Sequence, residues 1–380
     1  MSNFFGPTLP PPTNWLTQPR APADRRNSIT EPNIKLYVNA VYYPNWHVYK
    51  RRPPSSLNPG LVSHIFYAFA WVKLDGTVYL SDEWADTQIG VDGTHGCLRS
   101  LALLKQKNKY LKLILSVGGG GVGSQHFAEV AAKPAARETF GRTARDLVDR
   151  FHLDGLDIDW EHPSDPQQGV NYIFLLDAVR RYLPAPTYIL TSALPAGTWA
   201  LKNINLSVAH HFLDYINLMA YDFSGPWIDT YGHHAQLYSP AFPHSDAAYL
   251  SGDSAVTYLR TVGVPLSKII LGIPTFGRSF LGVDGTTGKY SGHGGEEGTF
   301  EYKDLPRPGA QEHVNREVGA AFCIGGDGGF VSYDNPTTVT MKATYVTRNG
   351  LGGLFFWTGT ADASHPRSLV ETAFKTLHNC

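Results

Sequence analysis

The stretch DGLDIDWE, residues 154–161, alternates acidic and apolar side chains. Alternate side chains of a β-strand point to the same face, so Asp157, Asp159 and Glu161 should line one face, roughly 7 Å apart. The apolar residues between them are typical of a buried strand, where neighbouring carboxylates are costly and raise each other's pKa. The pattern predicts a buried strand whose acids have a chemical use.

The composition is that of a folded protein with few charges. The chain has 380 residues, 42% of them hydrophobic, and a formal net charge of -1. This length allows one large barrel or two ordinary domains. Lys and Arg are scattered, which argues against nucleic acid as a partner. The 12% of aromatic residues would permit stacking on sugar rings.

Cysteine and histidine spacing predicts neither a metal site nor a cofactor. Cys97, Cys323 and Cys380 are far apart and include no CxxC pair, although one disulfide could still form. No apolar run is long enough to span a membrane, so we expect no membrane partner. The start of the chain lacks the pattern of a secretory signal, so we expect a protein that is cytoplasmic, released unconventionally, or secreted with its signal already removed. We also expect a monomer.

Eight short β-rich runs alternate with amphipathic helical patterns. Repeated strand and helix alternation at this length predicts an α/β fold, a closed (β/α)8 TIM barrel. An open doubly wound sheet is the alternative, but no Gly-rich phosphate loop follows the first run. The predicted strands are 35–43, 63–70, 111–117, 153–161, 187–194, 214–221, 268–274 and 352–357.

The sequence also predicts the domain organisation. Residues 1–34 are rich in Pro without a period and are interpreted as an extended arm. The interval between strands seven and eight is too long for one helix, and its sequence is Gly-rich and β-like. We therefore predict an α+β insertion over 275–346, and assign 35–274 and 347–380 to the barrel.

The acidic strand is the fourth of the eight, so its acids should approach the C-terminal face where barrel enzymes carry out chemistry. Crowded carboxyls share protons, so one acid can stay protonated and donate while a neighbour stays ionised. Acids that face solvent or bind a cation are the alternative, but the apolar second face of the strand disfavours an exposed edge.

Several motifs in the same order resemble the family 18 glycoside hydrolases, the chitinases and their relatives. DGLDIDWE is similar to the DxxDxDxE signature of that family at all four acidic positions. The resemblance covers about residues 36–375 and is strongest to filamentous-fungal enzymes. The segment GTFEYKDLP (298–306) resembles the insertion domain of one chitinase subfamily. The other motifs of the resemblance are LILSVGG (113–119), LMAYDF (218–223), GIPTFGRSF (272–280) and GLGGLFFW (350–357).

This resemblance implies a retaining, substrate-assisted hydrolysis of the β-1,4 links in chitin or chitin oligosaccharides. Glu161 would act as the acid, and the substrate's own acetamido group would attack to form an oxazolinium ion, an exception to the two-carboxylate rule. Asp159 would stabilise that ion and share a proton with Asp157. Tyr221 would bind the acetamido oxygen.

The resemblance and the aromatic content together suggest the residues that bind substrate. Trp357 matches the tryptophan on which the sugar at the cleaved bond rests, and Ser116 and Tyr42 would complete the polar cluster around Asp157. For the other tryptophans, plain packing is an open alternative, and a surface ion pair is one for the arginine. The predicted binding residues are Tyr42, Trp46, Phe69, Ser116, Trp199, Met219, Asp222, Trp227, Arg278 and Trp357.

One position departs from the family pattern. The family segment often continues as SxGGW, whereas this chain has Gly120 followed by Gly121, Val122 and Gly123. We therefore expect weaker binding on the acceptor side and a flexible loop after strand three. Hydrolysis itself should not be affected.

Two other functions remain as alternatives. A chitin-binding lectin would keep the barrel and lose the acid, but Glu161 is present. An endo-β-N-acetylglucosaminidase acting on N-glycans would use the same acids, and the insertion and the context of Trp357 favour chitin over it.

Overall fold

The computed structural model describes residues 36–241 and 249–380, so the predicted arm lies outside the described residues. The strands, in chain order, are β1 (Val38–Pro44), β2 (His64–Val72), β3 (Val78–Leu80), β4 (Gly90–Val91), β5 (Thr94–His95), β6 (Lys112–Gly118), β7 (Gly155–Asp159), β8 (Ile189–Pro195), β9 (Tyr215–Met219), β10 (Ile269–Pro274), β11 (Phe276–Phe280), β12 (Thr299–Glu301), β13 (Gln311–Asn315), β14 (Ala320–Ile324), β15 (Phe330–Tyr333) and β16 (Gly353–Trp357).

Eight of these strands form a closed parallel barrel in the order β1, β2, β6, β7, β8, β9, β10 and β16, and β16 pairs again with β1. The predicted fold is therefore confirmed, because each predicted run overlaps one barrel strand. The acidic run is shorter than expected: β7 ends at Asp159, and Glu161 lies just beyond the strand at its C-terminal end.

In the described residues, most α-helices cover the outside of the barrel. The α-helices are α1 (Cys97–Lys107), α2 (Phe127–Ala132), α3 (Pro134–Arg150), α4 (Pro166–Tyr182), α5 (Thr198–Leu201), α6 (Leu206–Ala209), α7 (Gly252–Thr261), α8 (Pro336–Asn349) and α9 (Leu369–His378). None of the helices in the described part of the chain has the length and apolar content of a membrane span.

The apolar core has two layers, as expected for a barrel wrapped by helices. The larger layer lies between the strands and the helices. The smaller layer fills the barrel interior and is rich in aromatic residues, with Tyr42 stacked on Phe66 at 4.7 Å between ring centroids. This inner layer supports the polar groups above it.

A five-stranded antiparallel sheet, in the order β12, β11, β15, β14 and β13, lies between β10 and α8 in the chain. Its strands fall within the predicted insertion, 275–346. The helix that follows, α8, begins with a capping box at Asn335 and packs against β16 and α9, so it belongs to the barrel's outer layer. The boundaries of the insertion stay a prediction.

A buried ion pair joins α8 to the end of the sheet. Lys342 Nζ lies 2.5 Å from Asp334 Oδ2 and donates to the carbonyl of Ala235 at 2.6 Å. Both side chains are almost fully buried. The three cysteines are unpaired: Cys97 and Cys323 are buried, and Cys380 is exposed.

Candidate active site

Asp157 is the most deeply buried member of the acidic row. Parallel pairing places Ser116 of β6 and Thr191 of β8 beside it at the same level of the barrel. The Ser116 hydroxyl donates to Oδ2 at 2.8 Å, the Thr191 hydroxyl donates to Oδ1 at 2.6 Å, and the Tyr42 hydroxyl donates to Oδ2 at 2.8 Å. The carboxyl of Asp157 is therefore fixed from three strands.

Asn217 of β9 is a further member of this network. Its amide nitrogen donates to the hydroxyl oxygen of Tyr42 at 2.9 Å and lies 3.4 Å from Asp157 Oδ1. Neither Asn217 nor Thr191 was predicted from the sequence. The available signal was a polar residue at an inward position of an otherwise apolar strand.

Burial sets the protonation of the two aspartates. It raises the pKa of Asp157, although the hydrogen bonds from Thr191, Ser116 and Tyr42 oppose that rise. Burial also raises the pKa of Asp159 well above its usual value, and the charges of Glu161 and Asp157 add to it. Asp159 is only 4% exposed, and its Oδ1 has no partner in the described structure. The row therefore holds protons and offers a free carboxyl oxygen.

Glu161 is positioned at the rim of the barrel. Its backbone N–H donates to Ser124 Oγ at 2.7 Å, and Ser124 ends a short 3-10 turn, Gly121–Ser124. Burial, with a contribution from the charge of Asp222, raises the pKa of Glu161 from 4.5 to about 7. Burial lowers the pKa of the neighbouring His162 to about 4, so that imidazole is neutral near pH 7. Glu161 can therefore keep a proton near neutrality.

Asp222 forms the opposite wall of the site. Its carboxylate accepts two hydrogen bonds from Arg278 of β11, at 2.8 and 2.9 Å, and lies 3.5 Å from His234 Nδ1. Burial raises the pKa of Asp222, but the contacts with His234 and Arg278 outweigh it, so the pKa is lower than usual. The Arg278 guanidinium also lies over the ring of Trp227, 4.9 Å from its centroid. Asp222 is thus held as an ionised group, and His234 is a contact that the sequence did not predict.

Aromatic rings form the floor of the site. Trp357, at the end of β16, is stacked with Phe69 at 5.7 Å, and its centroid lies 5.4 Å from Tyr42 and 6.3 Å from Trp46. Tyr221 packs edge-on against Phe355 at 6.2 Å. Burial raises the pKa of Tyr221 well above its usual value, so its hydroxyl remains a donor.

These groups enclose a cleft of about 280 Å³ at the C-terminal face of the barrel. Asp157 and Ser116 are fully buried and do not line it. Trp46 packs against Phe69 and Trp357, Arg278 binds Asp222, and, among the described contacts, Trp227 reaches the cleft only through Arg278. Trp199 lies in α5, is 59% exposed and meets His162 edge-on. The predicted residues that line the cleft are Tyr42, Phe69, Asp159, Glu161, Trp199, Met219, Tyr221, Asp222 and Trp357.

Gly120 also lines the cleft, at the position where the family pattern often has tryptophan. A Cβ built on Gly120 would lie 3.7 Å from Glu161 Oε1, and its φ of -60° suits any residue. The side chain that is missing here would therefore have stood beside the acid.

Comparison with known proteins points to one family. The sequence model of glycosyl hydrolases family 18 matches residues 38–362. Endochitinase 1 of the fungus Metarhizium robertsii is 35% identical over 379 residues, which span 94% of this chain and 89% of that protein. The expected similarity to fungal enzymes is confirmed.

Solved structures give the same result. A chitinase from Bacillus thuringiensis superposes with a TM-score of 0.82 at 26% identity, covering 90% of this chain and 69% of that chain. A chitinase from Cycas revoluta in complex with (GlcNAc)3 has a TM-score of 0.76 at 25% identity and covers 90% of this chain and 98% of that chain.

Proposed function

The chain belongs to family 18 of the glycosyl hydrolases, and on that premise we propose that it is a chitinase. It hydrolyses the β-1,4 links between N-acetylglucosamine units of chitin or chitin oligosaccharides. The observation that carries this proposal is the position of Glu161, whose carboxyl has a pKa raised to about 7, at the rim of the cleft. Among the described residues, Asp159 Oδ1 in the same cleft has no hydrogen-bond partner. A chitin-binding lectin would not need such an acid.

Glu161 donates the proton in the first step. As the bond between the anomeric carbon and the glycosidic oxygen breaks, that oxygen takes the proton of Glu161 and leaves as a hydroxyl. The oxygen of the substrate's acetamido group bonds the anomeric carbon and produces the oxazolinium ion. Near neutrality the raised pKa of Glu161 supplies the protonated form that this step requires.

Asp159 acts on the substrate's own nucleophile. Its unpartnered Oδ1 is free to accept a hydrogen bond from the acetamido N–H and to stabilise the positive oxazolinium. Asp157 beneath it is fixed by three hydroxyls and shares a proton with Asp159. In the second step a water molecule gives a proton to Glu161 and opens the ring with retained configuration.

The remaining predicted residues bind the sugar directly or support the residues that do. Tyr221 donates to the acetamido oxygen, Trp357 supports the ring at the cleaved bond, and Asp222 is held in place by Arg278. The protein acts as a monomer. The other proposed binding residues are Tyr42, Trp46, Phe69, Ser116, Trp199, Met219 and Trp227.

The proposal is tested with the conservative variants Glu161→Gln and Asp159→Asn, assayed by product release from chitin oligosaccharides. Loss of a well-placed group of this kind costs on the order of 10²- to 10³-fold in rate. Glu138→Gln, on the exposed surface of α3, is the control and should hydrolyse normally. Full activity of Glu161→Gln would overturn the assignment of the acid, and an inactive wild type would favour the lectin.

A further inference from the structure

A second cavity, of about 620 Å³, lies between the segment that follows β9 and the five-stranded sheet. It is more than twice as large as the catalytic cleft, and the two share no lining residue among those described. Its walls come from the chain around Ser224 to Pro240, from the loop 285–288, and from β13, β14 and β15. The chemistry proposed above does not use this cavity.

The lining combines aromatic rings with neutral polar groups. Phe322 and Phe330 are stacked at 5.0 Å, and Tyr231 and His233 pack against Phe330 at 5.2 and 5.7 Å. Among the described lining residues there is no Asp, Glu, Lys or Arg. Burial lowers the pKa of His233 to about 4, so this ring is also uncharged near neutral pH. An ionic ligand would find no counter-charge among these described residues.

Two buried polar atoms in this lining have no partner. Ser224 and Gln236 are each only 3% exposed, yet Ser224 Oγ and Gln236 Oε1 accept and donate nothing in the described structure. The amide nitrogen of Gln236 is already used, because it donates to the carbonyl of Leu250 at 2.5 Å. Buried polar atoms are almost always hydrogen-bonded, so these two call for a hydrogen-bonding occupant of the cavity.

We propose that this cavity is a second, non-catalytic saccharide site that binds a neutral amide-bearing sugar unit. Hydroxyl and amide groups of the sugar would satisfy Ser224 and Gln236, and its apolar face would pack on the aromatic rings. The proposal rests on the proposed function only for the choice of N-acetylglucosamine as the sugar. That unit comes either from a released product or from a further part of a bound chain.

The test uses calorimetric titration of chitobiose into the full chain carrying Glu161→Gln, which slows hydrolysis. Two classes of site are expected. Adding Ser224→Ala removes one hydrogen-bonding group and should weaken one class about fivefold to tenfold while leaving the other unchanged. Adding Ser207→Ala, an exposed serine on α6, is the matched control and should change neither class. Gln236→Met removes the second polar group at similar length and provides an independent variant.

The outcomes separate the two proposals. The second site is overturned if titration shows a single class of site. It is also overturned if the Ser224→Ala and Ser207→Ala variants bind equally and Gln236→Met binds normally. Either result leaves the proposed chitinase activity intact. Failure to bind any chitobiose overturns the proposed function itself. A parallel titration with soluble glycol chitin distinguishes a released product from a further part of a bound chain. Ser224→Ala should weaken binding of this polymer only if a bound chain reaches the cavity.

Discussion

The charge of Asp222 should set part of the pH range over which the enzyme works. Glu161 must be protonated to donate, and its pKa is raised by burial and, to a lesser extent, by Asp222. Asp222→Asn removes the negative charge that favours the protonated form, and it also leaves the Arg278 guanidinium uncompensated. Both effects lower the pKa of Glu161, so the basic limb of the activity profile should move to lower pH.

The size of the movement follows from the causes of the raised pKa. Together they raise it from 4.5 to about 7, and burial is the larger cause. The charge of Asp222 therefore accounts for less than half of that rise, and the limb should move by at most about one pH unit. If the midpoint of the basic limb moves from about pH 7 to about pH 6, the protonated fraction of Glu161 at pH 7 falls from about one half to about one tenth.

The measurement is kcat/KM for a soluble chitobioside from pH 4 to pH 9. At pH 7 the variant should fall about tenfold below its own acidic plateau, whereas the wild type should fall about twofold below its plateau. Asp154→Asn, at the start of the same acidic strand, is the control, because Asp154 pairs with Lys105 outside the cleft and should leave the limb in place. A limb that stays fixed or moves to higher pH in Asp222→Asn would refute the reasoning.

Three further predictions use other parts of the structure. Tyr42→Phe removes a hydroxyl that donates to Asp157 and should lower kcat/KM about 10- to 100-fold. The control Tyr43→Phe loses a buried hydroxyl outside the site and should keep its kcat/KM. Equal activities of the two variants would contradict this prediction. Gly120→Trp fits the backbone and should lower KM for long oligosaccharides; an unchanged or higher KM would argue against a missing platform. Lys342→Ala leaves a buried carboxylate unpaired and should cost about 3 to 5 kcal/mol in urea unfolding, and an effect as small as that of the surface variant Lys375→Ala would count against it.

The sequence predicted the barrel and the acidic row because both depend on local patterns. Period-two alternation placed Asp157, Asp159 and Glu161 on one face, and eight repeats of strand and helix sufficed for the fold. The motif resemblance then indicated Tyr221 and Trp357, which the structure brings to the same cleft. Their catalytic and binding roles stay predictions.

The contacts that were missed depend on register between distant segments. Thr191 and Asn217 reach Asp157 only because β7, β8 and β9 pair at a particular level of the barrel. His234 meets Asp222 across a loop that has no period, and Ser124 holds Glu161 through its backbone N–H. The pKa of Glu161 likewise depends on burial, which a sequence pattern does not quantify.

The central claim is that the substrate's acetamido group, and not a water molecule, is the first to attack the anomeric carbon, so that hydrolysis retains the configuration. Proton NMR during the first minutes of chitin oligosaccharide hydrolysis tests it most directly, because it records the anomeric form before mutarotation. The account predicts that the products released first are β-anomers. Initial release of α-anomers would contradict it.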